Sequence, residues 1–163
     1  MGCAELKPLD IDVWTGNTPD QIKAAHDLWQ EWSQEEHGRP LDVQAWIEAT
    51  ASLLKAQRLM YFVAYHDRKA VGMVQALWQY DVLAQEWVGF GDHAYVSPEY
   101  RNEGTFTALY DAIYGFTKMM DFDQIALPVG TSGVGKFLQP FYEKRGFVDK
   151  AHFMRQRAPW RTE

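Results

Sequence analysis

Between Leu59 and Val96 the chain carries three β-prone runs in succession, and the last passes through a short turn straight into a long apolar-striped helix. Leu59 to Tyr65 and Ala70 to Tyr80 flank the polar tetrad His66-Asp67-Arg68-Lys69, which reads as a hairpin turn. A second polar turn, Asp81 to Glu86, leads to Trp87 to Val96. Gly89 and Gly91 inside this run signal a bulge or a close backbone approach. The middle of the chain thus reads as strand, hairpin turn, strand, polar turn and strand, followed by a helix.

The flanking segments extend this plan. Ile11 to Trp14 is a short strand ended by Thr15-Gly16-Asn17. Thr18-Pro19-Asp20-Gln21 has the makings of a capping box, and Ile22, Ala25, Leu28, Trp29 and Trp32 follow as a helical stripe. The polar run Ser33 to Arg39, with Gly38 and Pro40, is expected to break that helix. Asp42 caps a second one with the stripe Val43, Trp46, Ile47, Thr50, Leu53 and Leu54. In the third helix, Phe106, Leu109, Ile113, Phe116 and Met120 share a face. Phe122 to Val129 is a strand, glycines 130, 133 and 135 mark a loop, Lys136 to Lys144 is a short helix, and Gly146 to Gln156 is a last strand. The order is β-α-α-β-β-β-α-β-α-β, an α/β (α+β) domain over residues 1–163 with no repeat or linker.

Composition narrows the function. A net charge of −6 without a basic block argues against nucleic acid. No apolar run reaches the ~20 residues of a membrane span. Cys3 is the only cysteine, so there is no internal disulfide, and the expected compartment is a reducing cytoplasm. The N-terminus lacks the apolar region of a secretory signal. His26 and His37 have no metal-ligand spacing, and no metal is expected. Gly130 to Lys136 lacks the Ser/Thr that a phosphate loop places after its Lys, since Phe137 stands there.

Two segments carry chemistry. In Tyr95-Val96-Ser97-Pro98-Glu99-Tyr100-Arg101-Asn102-Glu103-Gly104-Thr105-Phe106 a strand feeds a turn and then a helix. The first N–H groups of a helix, together with its dipole, hold an anion. Gly104 admits a close backbone approach, Thr105 and Thr107 offer hydroxyls, and Arg101 either fixes the turn or lies near phosphates. An ordinary strand-turn-helix junction explains the same residues equally well. In the second segment, Phe141-Tyr142-Glu143-Lys144-Arg145-Gly146-Phe147, Gly146 reads as a C-cap.

Together these segments, about 40 residues apart, resemble the GNAT (GCN5-related N-acetyltransferase) superfamily. That family carries Arg/Gln-x-x-Gly-x-Gly/Ala after its fourth strand and a Phe-Tyr-Glu-Lys-x-Gly-Phe-like block before its last. The likeness covers residues 59 to 155 well, and the N-terminal helices by order alone. It implies a GNAT fold, a single mixed, mostly antiparallel six- to seven-stranded sheet with about four helices. It also implies acetyl-CoA as cosubstrate, held by Tyr95, Val96, Arg101, Asn102, Glu103, Gly104, Thr105, Phe106 and Thr107.

The implied reaction is direct attack of an amine, on a small molecule or a protein, upon the thioester. A backbone N–H near Tyr95 and Val96 would stabilise the carbonyl oxygen. Tyr142 would protonate the leaving thiolate. Glu86, Asp92 and His93 lie where the family often keeps a base; strict alternation puts Asp92 and His93 on opposite faces, and histidine titrates nearest neutrality. In other relatives the amine loses its proton through water. The N-terminal helices, with Trp29, Trp32 and Trp46, would shape the acceptor pocket, or simply pack the core. Two departures stand out. Phe106 replaces the family's Gly/Ala, which either crowds the phosphate loop or sends the ring into the core. The Asn usual after the fifth strand is missing from Pro128-Val129-Gly130-Thr131-Ser132. An alternative reading is a catalytically inactive GNAT-fold module that binds CoA or a protein partner. The resemblance also admits a homodimer.

Overall fold

β1 (Asp12–Gly16) opens the chain of elements in the computed structural model, which describes residues 10–101, 103–127 and 135–148. By contact density the chain falls into two units, residues 1–128 and 129–163. The first unit holds a five-stranded sheet among its described residues, in the order β1-β2-β3-β4-β5. β2 (Leu59–His66), β3 (Lys69–Asp81) and β4 (Glu86–Val96) form an antiparallel meander with β1, and β5 (Gln124–Ala126) joins β4 in parallel.

The turns follow from their residues. Asp67 and Arg68 both have positive φ, 47° and 66°, the twist a two-residue hairpin needs. At the β3–β4 turn, Asp81 Oδ1 accepts from the N–H of Leu83 at 2.9 Å and of Ala84 at 3.0 Å, an Asx turn.

α1 (Pro19–His37) starts where the capping box placed it: Gln21 N donates to Thr18 Oγ1 at 3.3 Å, and Thr18 N donates to Gln21 Oε1 at 3.2 Å. The expected break falls at the far end of the polar run, at Gly38. Gln34, Glu35 and Glu36 are good helix formers on a solvated side, and the helix continues to Gly38, whose φ of 66° ends it. In α2 (Val43–Lys55) Asp42 Oδ1 caps Ala45 N at 3.0 Å. Ile47, expected on the buried stripe, is exposed.

The two faces of the sheet bury two clusters, and strand alternation sorts residues between them. Phe62, Ala64, Val74, Ala76 and Val96 meet Leu109, Ile113 and Phe116 of α3 (Thr105–Met119). Leu59, Tyr61, Val63, Met73 and Tyr95 meet Ala25, Leu28 and Trp29 of α1, with Trp32 and Trp46 packed against them. The tryptophans therefore do serve the core. Met120, expected on the buried face of α3, is instead its exposed C-cap.

Described by itself, the second unit contains α4 (Gly135–Glu143). Its end is a Schellman cap: Gly146 N donates to Glu143 O at 3.0 Å, and Phe147 N donates to Tyr142 O at 3.2 Å. Gly146 has φ 84°, and the rings of Tyr142 and Phe147 lie 5.4 Å apart, the apolar contact that accompanies this cap. Of the expected last strand, residues 149–156 lie outside the described residues, as do 128 and 129 of the fifth.

Candidate active site

β4 changes character half-way along. Ala76 pairs with Gly91 and Gln75 with His93, so Asp92 is the extra residue of a β-bulge. Before the bulge, odd-numbered residues face α3. A Cβ on Gly89 would lie 3.1 Å from Phe122 Cδ2, and one on Gly91 would lie 2.5 Å from Leu127 Cδ2. After the bulge, odd-numbered residues face α1. The exposed ring of His93 stands edge-on to Trp29 at 5.0 Å and to Trp32 at 5.9 Å. Both glycines thus mark the close approach and the bulge that the sequence suggested.

Pairing changes at the same place. β5 accompanies β4 only over Val88, Gly89 and Phe90. Past Phe90, among the described residues, no strand pairs with the side of β4 that faces away from β3. The N–H and C=O groups along that edge point where a bound molecule could use them.

The strand then meets an acidic side of α1. Ser97 Oγ donates to Glu31 Oε2 at 2.7 Å, and Tyr95 Oη donates to Glu35 Oε2 at 3.3 Å. Arg101 forks onto Glu35, Nη1 to Oε1 at 2.8 Å and Nη2 to Oε2 at 2.7 Å, while its Nε donates to Val96 O at 2.9 Å. The guanidinium bonds and charge hold the Glu35 carboxyl below the usual carboxylate range, against a partial offset from burial. Burial first, then the charges of Glu31 and Glu35, push the Tyr95 phenol up to about 12. It stays a donor at neutral pH. Of the two roles open to Arg101, the described bonds show it fixing the turn.

A 3-10 turn, Pro98–Tyr100, carries the chain to α3. Lys69 Nζ holds Glu99 Oε1 at 2.7 Å and lies 5.3 Å from the Tyr100 ring centroid. Gly104 is the N-cap of α3 with φ 85°, and a Cβ there would meet nothing within 4 Å among the described residues. Backbone conformation, not crowding, is why glycine fits, and the space beside it is open. The first intrahelical bond is Ala108 N to Gly104 O at 3.0 Å, so the N–H groups of Thr105, Phe106 and Thr107 precede the ladder.

The hydroxyl of the buried Thr105 donates to Tyr100 O at 3.2 Å and tightens the turn. Thr107 and Glu103 are half-buried. Phe106 is half-buried and packs against the α3-side cluster, so its ring goes to the core. Asn102 lies outside the described residues, and so does the side chain of Asp92. Glu86, the other carboxylate near this strand, accepts from Gln124 Nε2 at the far end of β4.

Three residues of this arrangement went unflagged. Gly72 on β3 would place a Cβ 3.1 Å from Thr105 Cγ2 and 3.1 Å from Tyr95 O, so its bareness lets the first turn of α3 settle on the sheet. Glu31, between Gln30 and Trp32, and Glu35, within the polar run, carried little sign of their partners. The only available hint was their i,i+4 spacing.

In the second unit, the Tyr142 ring stands edge-on to Phe141 at 5.8 Å and tilted against Phe147 at 5.4 Å, both neighbours in its own segment. Among the described residues no group of three or more His, Cys, Asp or Glu could hold a metal ion. Among the same residues no helix is long and apolar enough to cross a membrane.

Residues 22–147 match the acetyltransferase (GNAT) family. No curated protein sequence matches the chain. Solved structures share the fold. A possible acetyltransferase from Clostridium difficile 630 is 18% identical with a TM-score of 0.71, covering 91% of this chain and 97% of its own. An aminoglycoside acetyltransferase, meta-AAC0020, from an uncultured soil metagenomic sample is 16% identical with a TM-score of 0.69, covering 91% and 97%. AAC(6')-Iy, in complex with the bisubstrate analogue CoA-S-monomethyl-acetylneamine, is 21% identical with a TM-score of 0.70, covering 91% and 99%.

Proposed function

The chain belongs to the acetyltransferase (GNAT) family, and from that premise we propose that it transfers the acetyl group of acetyl-CoA to a primary amine. The observation that carries this reading is the start of α3. There, N–H groups ahead of the helical ladder follow a left-handed Gly104 beside open space, directly after a strand edge without a partner among the described residues. A pyrophosphate suits the first feature, because donors and dipole converge there. An extended, amide-bearing arm suits the second, because such an arm can pair with a bare strand edge. CoA has both. That AAC(6')-Iy is solved with a CoA-based bisubstrate analogue supports the same use here.

In this reading the residues divide the work. The N–H groups of Thr105, Phe106 and Thr107 hold the pyrophosphate, with Glu103 and Gly104 forming the approach. Backbone N–H groups about Tyr95 and Val96 face the carbonyl oxygen as charge develops; one such donor is worth about 3 kcal/mol. His93 is taken as the first base candidate: its exposed ring stands against Trp29 and Trp32 on the side of α1. Asp92, at the bulge, is the second. Tyr142 is assigned the proton for the leaving thiolate. Thioester bond breaks, amide bond forms, the amine proton leaves through His93 or water, and the thiolate takes one from Tyr142. The core position of Phe106 removes the reason to read the protein as an inactive module.

The acceptor is proposed as a small-molecule or protein amine, and two of the structural neighbours bear aminoglycoside acetyltransferase names. Thiol release from acetyl-CoA, followed across a panel of amines, tests the whole. Turnover of at least one amine is expected. Tyr142→Phe should lower kcat by about 100-fold or more and His93→Ala by a similar factor, within the usual range of about 100- to 10,000-fold for general acid–base terms. No thiol release with any amine would refute the enzymatic reading.

A further inference from the structure

The ion pair between Glu35 and Arg101 joins residues 66 positions apart. It joins the last turns of α1 to the segment between β4 and α3. The bonds of this group converge on that segment. Glu31 takes Ser97, Glu35 takes Tyr95 and Arg101, and Arg101 passes the restraint on to the carbonyl of Val96. Glu31 and Glu35 are like charges at i,i+4, which a helix by itself disfavours. Each is matched by a donor from residues 95–101. A bidentate guanidinium–carboxylate pair fixes orientation as well as distance. Val96 ends β4 and Arg101 stands three residues before the Gly104 cap, so the pair ties both ends of the turn to one carboxylate.

We propose that Glu35 is a positioning residue for the acetyl-CoA site, acting through Arg101 to hold the Val96–Gly104 turn in the shape that offers the first N–H groups of α3 to the pyrophosphate. The inference rests on the acetyl-CoA reading above. Its consequence is that α1, a helix without a residue in the cofactor set, governs affinity for the cosubstrate. The effect should fall on binding, because Glu35 touches no reacting group.

Amide hydrogen exchange and steady-state kinetics of Glu35→Gln, Arg101→Met and the double variant test this. The first readout needs no substrate. Exchange across residues 97–106 should rise about tenfold in each single variant, reporting a loosened turn. The KM for acetyl-CoA should rise about tenfold with kcat within about twofold of wild type, the mark of lost binding rather than lost chemistry. The double variant should be no worse than the weaker-binding single, since both act through one link. Arg101→Lys keeps charge but cannot fork, and should behave like Glu35→Gln. Unchanged exchange in Glu35→Gln, a fall confined to kcat, or additive losses would overturn the proposal. A wild type without any turnover would instead refute the acetyltransferase reading, while the exchange result would still decide whether Glu35 positions the turn.

Discussion

The two halves of β4 use opposite means to hold one strand in place. Residues 86–91 pair with β3, and 88–90 also with β5, with bare glycines at 89 and 91 that let Phe122 and Leu127 press against the backbone. Residues 92–96 begin at the bulge, pair with β3 alone among the described residues, and are steadied by hydrogen bonds and an ion pair from α1. The first half is held by packing, which is strong and leaves no room. The second is held by polar contacts at its side, which leave its outer edge for something else. A strand that must both anchor a core and receive a ligand can do so by dividing those tasks along its length.

Substitutions can test that division, starting with the largest effect. Gly91→Val puts atoms where Leu127 already sits. Overpacking of this kind costs about 3 kcal/mol. Urea denaturation should show that loss. A loss below about 1 kcal/mol would mean that the packed half yields more easily than its geometry implies.

Phe106→Ala removes a half-buried ring from the α3-side cluster and should cost about 2 kcal/mol, less than a full core truncation. The KM for acetyl-CoA should stay within about twofold, because the ring belongs to the core. A marked fall in KM would show that Phe106 crowds the cosubstrate after all. Gly104→Ala meets no atom but must adopt a left-handed φ of 85°, for about 1 kcal/mol. Its stability loss should be the smaller of the two glycine variants, and its loss of cosubstrate affinity the larger.

The smallest effect is a pH dependence. The Glu35 carboxyl is held below its ordinary value of 4.5, chiefly by hydrogen bonding to Arg101. A depressed carboxylate contributes stability that is full above the unfolded value and lost as pH falls through the folded one. The group is partly exposed, so the contribution at neutral pH should be no more than about 1 kcal/mol. The gap in urea midpoint between wild type and Glu35→Gln should therefore close as pH drops below 4.5. A gap that persists in acid would mean that the pair does not stabilise the fold through charge.

Much of this was legible from the residues, for local reasons. The capping box at Thr18, the C-cap at Gly146 and the two-residue turn at Asp67-Arg68 involve neighbours along the chain, so spacing reveals them. The stripe of α3 was readable as far as Phe116, and Met120 failed because the helix ends beneath it. Gly89 and Gly91 announced an irregularity in β4, but strict alternation could not say that Asp92 is the inserted residue. What stayed hidden is tertiary. Glu35 and Arg101 lie far apart in sequence, and a glutamate in a run of polar residues carries no mark of the partner that folding brings to it. Gly72 gave no sign of its role, because the threonine methyl that needs its bareness arrives from another element.

Calorimetric titration of acetyl-CoA into the wild-type protein and into Gly104→Trp tests the central claim most directly. The account predicts micromolar binding by the wild type and loss of it in the variant, whose indole would stand in the space beside the first turn of α3. Equal binding by both would place the cosubstrate elsewhere. No binding by the wild type would contradict the acetyl-CoA reading itself.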